Sequence, residues 1–386
     1  MPPVLRYGLP FFLNAIILSS WMTRIPDLKA DLGIGTGDLG LALFALPFGT
    51  LIALPLAGPV IDRLSNERAY FAGALAGLAM LVAIGAAGSW TALTLALFGL
   101  GLANALMEVA MNVAAADAEH RIGVRIMSRC HGFWSIGMMS GGLVSGVIAQ
   151  AGISTFAHLT GIALVGTFAA IALARLPAEA GARMAAPAPK AEGGHTFTLP
   201  GRAIIGLCLL AAGVTVAEGA MFDWSTLYLR RDLGAEPFMA GLGYALFAGS
   251  QATTRFLGDV LRRFFRPEHL VLGSGLVTSL GLVGVALSSG PLMTYPFLMM
   301  LGAGVALVYP VASSVVTLKP GRSPAANVAG LTLVVMIALL TAPPLIGLIA
   351  DGFGLRVAFL AIVPAALLTV LLAGHAREAA RITVVA

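Results

Sequence analysis

Apolar runs of about 17–25 residues recur along the whole chain, separated by short turns that carry Gly, Pro and charge. A helix needs about 20 such residues to cross ~30 Å of hydrocarbon. The runs predict twelve helices. The first six fall at about 7–25, 38–61, 69–88, 91–116, 131–152 and 156–175, and the second six at about 203–229, 237–260, 269–289, 291–317, 324–348 and 355–374. The short alternating segments of a membrane barrel do not occur. Helices satisfy their own backbone groups where no water can, so the pattern predicts an all-α integral membrane protein.

The twelve helices divide into two sets of six. The one long polar connection, 176–202, contains Pro177, Pro187, Pro189, Pro200 and Gly193-Gly194, and reads as a flexible linker. The expected organisation is an N-terminal six-helix bundle over 1–175, this linker, and a C-terminal six-helix bundle over 203–386. A weak repeat at an offset of about 200 residues supports the division. Asp31-Leu32-Gly33 is echoed by Asp232-Leu233-Gly234, Leu43-Phe44-Ala45 by Leu246-Phe247-Ala248, and Gly58 through Arg63 by Gly258 through Arg263. Parallel repeats with an even helix number are the architecture of alternating-access carriers, which bind substrate between the repeats.

Composition agrees, with 58% hydrophobic and 11% charged residues where a soluble domain carries about 25% charge. The net charge of +5 is spread singly through the connections, which reads as topology signals and not as a nucleic-acid surface. With both termini cytoplasmic, 17 of the 23 Lys and Arg lie inside, 5 lie outside and Arg255 lies within a helix. That asymmetry follows the positive-inside rule and places the chain in the cytoplasmic (inner) membrane with both termini inside.

Ionisable and amide side chains within the apolar runs are the candidates for chemistry, because such groups are expensive in hydrocarbon and face a cavity or a partner. Asn104, Glu108 and Asn112 stand at i, i+4 and i+8, within about 80° of arc on one helix face. Glu108 would alternate between protonated and charged states while the two Asn bind solute; the competing reading is a stripe that only hydrogen-bonds neighbouring helices. Glu218 is a second proton-coupling candidate. Asp223, about 140° round the same helix, could share its face only if Gly219 breaks the helix, and serves equally as an interfacial or gating residue. Gln251, Arg255 and Asp259 share a face; Arg255 either pairs locally with Asp259 or reaches Glu218 or an anionic substrate. Arg24 either attracts anions at the outer end or snorkels to headgroups. Asn14, Asn327 and Tyr309 are further substrate-binding candidates. Trp21, Trp134, Trp224 and Tyr244, near helix ends, read first as interface anchors.

Gly58-Pro59-Val60-Ile61-Asp62-Arg63, followed by Arg68, resembles the G-x-x-x-D-R/K loop motif of the major facilitator superfamily, with Leu64-Ser65-Asn66-Glu67 in place of the usual continuation. In the second half Gly258-Asp259-Val260-Leu261-Arg262-Arg263 is similar to the GD-x-L variant. The resemblance implies the fold of that superfamily, two pseudo-symmetric six-helix bundles, with Asp62 and Arg63 latching the closed cytoplasmic side; Arg24, Arg255 and Asp259, from their positions, are further gating candidates. Trp21-x-Thr23-Arg24-x-Pro26, Glu108-Val109-Ala110-x-Asn112-Val113, His131-Gly132-Phe133-x-Ser135-x-Gly137, Glu218-Gly219 with Asp223-Trp224, and Pro343-Pro344-x-x-Gly347 resemble the YbjJ-type bacterial branch of it.

No G-x-x-x-x-G-K-S/T motif and no metal-site spacing occurs, so neither direct ATP drive nor a metal or other cofactor is expected. The expected function is secondary active transport of a small polar solute (sugar, polyol, organic acid or amino acid) by a monomer in the lipid bilayer, by alternating access and coupled to protons as a symporter. A drug or metabolite efflux antiporter is the first alternative; Leu143, where the antiporter signature has Pro, disfavours it. A membrane sensor or membrane-embedded enzyme is the alternative of another class.

Overall fold

Serine, proline and glycine set where the helices begin and end. Ser89, Ser154 and Ser323 each accept a hydrogen bond from the backbone N–H three residues on, and Pro237, Pro267, Pro291 and Pro324 open helices where no intrahelical donor is needed. The computed structural model describes residues 1–124, 126–175 and 199–377, without the side chains of Asp259 and Ala325. Most of the expected linker, Arg125 and the last nine residues thus lie outside the described residues.

The first half comprises α1 (Pro3–Met22), the short α2 (Ile25–Leu32), α3 (Thr36–Leu43), α4 (Ala45–Leu64), α5 (Asn66–Gly85), α6 (Trp90–Ile122), α7 (Met127–Gln150) and α8 (Thr155–Ala174). The second half comprises α9 (Ile205–Arg231), α10 (Pro237–Phe264), α11 (Pro267–Leu287), α12 (Pro291–Val305), α13 (Val308–Val316), α14 (Pro324–Phe353) and α15 (Leu355–Leu372). α3 with α4 forms the second span and α12 with α13 the tenth, so the count is twelve. Eleven spans are long and apolar enough to cross a membrane among the described residues. The other, α10, is 28 residues long and more polar because Gln251, Arg255, Arg262 and Arg263 lie along its second half, while it packs on α7, α9 and α12.

The same pairings recur in each half. The first span packs on the fifth (α1 on α7) as the seventh packs on the eleventh (α9 on α14). Likewise α4 on α6 matches α10 on α12, α5 on α6 matches α11 on α12, and α5 on α8 matches α11 on α15. The halves meet where α7 packs on α10 and α3 on α14. The two ends of the bundle are called proximal, where Pro3 and Arg377 lie, and distal.

Two glycines repeat this symmetry at atomic level. A Cβ on Gly101 would collide with Leu46 O and come 2.9 Å from Thr50 N; one on Gly302 would collide with Phe247 O and come 3.0 Å from Gln251 N. Each glycine lets a helix backbone touch its neighbour. Gly101→Val and Gly302→Val should therefore each remove most of the monodisperse peak in size-exclusion chromatography of detergent-solubilised protein. Gly161→Val, with open space around it, should leave that peak near wild type.

Candidate functional site

Near mid-length, side chains from α1, α6, α7, α9 and α10 form successive layers. An aromatic layer joins the halves: the Trp134 ring meets Phe222 at 6.3 Å, and Phe222 meets Tyr244 at 5.6 Å and Phe247 at 5.0 Å. On the first-half side this layer is polar as well. Trp134 Nε1–H donates to Asn14 Oδ1 at 3.1 Å, and Asn14 Nδ2–H donates to Asn104 Oδ1 at 2.8 Å. Asn14 is only 2% exposed, so its amide is fully committed to this network.

One helical turn toward the proximal end lie the two carboxylates, Glu108 one turn from Asn104 and Glu218 one turn from Phe222. They are treated differently. Glu218 Oε1 accepts from Gln251 Nε2 at 2.5 Å and from Arg255 Nη2 at 3.1 Å. Its charge is compensated by Arg255, and the carboxamide of Gln251, 1% exposed, fixes its position. Glu108 is half-buried and its carboxylate has no hydrogen-bond or ion-pair partner among the described residues. Asn112 turns back on its own helix, donating to the Glu108 carbonyl at 2.8 Å. His131 stands on α7 one turn proximal to Trp134, its ring edge-on to Phe11 at 5.1 Å.

Asn14, Asn104, Glu108, Glu218, Gln251 and Arg255 thus occupy adjacent layers, with Asn112 one turn further on. Asp223 does not join Glu218. α9 runs unbroken from Ile205 to Arg231, so Gly219 does not reorient the two acids and they point about 140° apart. Arg255 turns to Glu218 across to α9 instead of only to its own helix; Asp259 lies outside the described side chains. Tyr309 is 36% exposed and its hydroxyl pairs with Thr332 at 3.1 Å. Asn327 is away from these layers, buried near the start of α14, where Nδ2–H donates to Val316 O and Lys319 O and holds the turn between α13 and α14. Trp21 and Trp224, at 1% and 0% exposure, are enclosed by protein and do not stand at a lipid interface. Asp62 and Arg63 are exposed at the proximal end, without an ion pair among the described residues.

Polar contacts between the halves gather at the distal end, and sequence reasoning passed over most of them. Asp27 forms an ion pair with Arg24 at 2.7 Å within its own half and with Arg230 of the other. Arg24 neither lines the central layers nor reaches out to headgroups. It is 3% exposed and donates to Ile153 O and Thr155 Oγ1. Arg231 Nη1 donates to Thr36 Oγ1 at 2.9 Å. Asp351 Oδ1 accepts from the N–H groups of Thr36 and Gly37 at 3.0 and 3.3 Å. Lys29 stands beside this group; burial foremost, and then the Arg231 charge, holds its ammonium below the ordinary lysine range, with Asp351 counteracting. The one local signal for these residues was the acid-and-glycine repeat after the first and seventh helices.

This twelve-helix architecture is matched by sequence and by structure. A sequence model described as Major Facilitator Superfamily matches residues 9–336. The chain belongs to the major facilitator superfamily and is a transporter. It is 28% identical over 381 residues to an uncharacterized MFS-type transporter of Yersinia pestis, covering 97% of this chain and 94% of that one. Two solved structures share the fold: a bacterial homolog of the human lysosomal transporter Spinster, inward-facing and occupied (TM-score 0.78, 16% identity, 97% and 96% covered), and the nucleoside transporter NupG (TM-score 0.76, 14% identity, 98% and 100% covered).

Proposed function

We propose that this protein carries a small polar solute across the cytoplasmic membrane by alternating access, in symport with protons, with both termini cytoplasmic and the distal end outside. The observation that carries this reading is the unequal state of the two central carboxylates. Glu218 is neutralised by Arg255, whereas Glu108 stands free of an ion pair beside the Asn14–Asn104 amides. An ionisable group at mid-span is costly against hydrocarbon and faces a cavity or a partner, and one without a charge partner is the group left to exchange a proton as the halves open and close. It is therefore the proton carrier of the cycle. Asn104, Asn112 and Trp134, each partly exposed, supply amide, carbonyl and ring surface of the kind that hydroxylated or heterocyclic solutes bind. NupG, of the same fold, is named a nucleoside transporter, and nucleosides join sugars, polyols, organic acids and amino acids among the solutes to be tried.

The test is a thermal-shift screen of the purified protein against those classes and a panel of hydrophobic drugs. A ligand that binds only the folded protein at 100 times its Kd stabilises it by about 2.7 kcal/mol, a readily measured rise in melting temperature. Stabilisation by polar solutes alone supports the reading; stabilisation by drugs alone points to an efflux antiporter. Asp62 and Arg63 belong to the cycle and not to binding, acting when the inner side closes. Asp62→Ala should lower kcat severalfold with Kd for the solute unchanged.

A further inference from the structure

The distal contacts are more than incidental packing. α3 and α14 cross at two glycines: a Cβ on Gly40 would stand 2.6 Å from Pro343 O and 3.0 Å from Gly347 Cα, and one on Gly347 would stand 2.8 Å from Gly40 Cα. The helices run in opposite directions. One turn before Gly40 is Thr36 at the start of α3, and one turn after Gly347 is Asp351 near the end of α14. The crossing therefore delivers a carboxylate from one half to the exposed N–H groups that open a helix of the other, where the helix dipole favours an anion. Thr36 is 3% exposed, so these amides have no ready access to water when the halves meet. Arg231 adds a bond to the Thr36 hydroxyl, and Asp27 with Arg230 ties α2 to α9 nearby.

We propose that Asp351 is the latch of the outer gate, a positioning residue for transport that holds the outward side closed by capping α3, with Asp27–Arg230 as its second clasp. The inference rests on the alternating-access reading, in which closing one end opens the other. In the outward-open state the halves part at this end, Asp351 leaves Thr36 and Gly37, and water must solvate both sides. The latch therefore sets the ratio of the two states without touching solute. Pro343-Pro344-x-x-Gly347 acquires a purpose here, because a side chain at position 347 would hold the helices too far apart for Asp351 to reach.

The test measures distances between spin labels in the full-length protein, with Cys130 and Cys208 replaced by Ala. One label pair spans the distal end (Gly88→Cys with Ser289→Cys) and one the proximal end (Glu67→Cys with His269→Cys). Asp351→Asn, which keeps the shape and removes the charge, should raise the distal-open population roughly 5- to 30-fold, with the proximal distance shortening in step. Asp351→Glu should restore most of the closed population. Arg230→Gln, which leaves the Asp27–Arg24 pair in place, should loosen the second clasp and raise the distal-open population by less than Asp351→Asn does. Wild-type distance distributions in Asp351→Asn overturn the latch. Gly347→Leu separates this from the underlying reading, since the wedge must open the distal end. Proximal closure in step with that opening leaves alternating access standing when the latch fails. Distal opening with the proximal distance unchanged overturns alternating access itself.

Discussion

Glu108→Gln should abolish accumulation of solute against its gradient in proteoliposomes while solute exchange across the membrane continues. Gln keeps the volume and hydrogen-bonding capacity of the protonated acid but cannot release a proton. The variant is locked in the state that Glu108 adopts when protonated, so the halves can still exchange loaded forms. The return of the empty, proton-free carrier has no counterpart in the mutant. An accumulation ratio near one, with counterflow within a few-fold of wild type, is the expected pair of readings. Full accumulation by the variant would remove Glu108 from the coupling step.

The second large effect concerns Arg255. Its removal leaves Glu218 held only by Gln251, an uncompensated charge at mid-span on a half-buried side chain. Breaking one partner of a buried pair costs about 3–5 kcal/mol, and the 29% and 21% exposure of these side chains puts the expectation at roughly the lower end. Arg255→Ala should therefore lower the melting temperature clearly and depress transport. The double variant Arg255→Ala with Glu218→Gln should regain most of the stability, because no charge is stranded. If the double variant is less stable than the single one, the pair contributes through packing and not through charge.

Much of the fold was legible because hydrocarbon thickness imposes its length on every span. The helix count could be read from apolar runs and turn residues, and the offset of about 200 residues reappears as Gly101 and Gly302 on corresponding helices. Helix ends were less legible. The fourth helix, expected to stop near 116, continues to Ile122, since hydropathy marks where lipid ends and not where hydrogen bonding ends. Breaks within helices were not legible either. Gly219 sits in a helix supported on both sides, whereas the second span is interrupted at Phe44 and the tenth at 306–307.

Apart from Arg255, for which Glu218 was one of the expected partners, the central residues were recognised as types but not as partners. Asn104 and Glu108 were conspicuous as polar groups in an apolar helix, yet the bond from Asn14 spans 90 positions, and nothing local announces it. Asn327 was conspicuous for the same reason, and its amide serves a turn. The distal group was the least visible. Asp27, Arg230 and Asp351 lie at helix ends, where charge is ordinary, and Asp351 finds Thr36 at a separation of 315 positions.

The most direct test of proton-coupled symport is proton flux in proteoliposomes loaded with a pH-sensitive dye, using a solute found by thermal shift. With no initial pH gradient, external solute should acidify the lumen as it enters, and Glu108→Gln should remove the acidification. Solute entry with no change in lumenal pH, or with alkalinisation, would contradict the account.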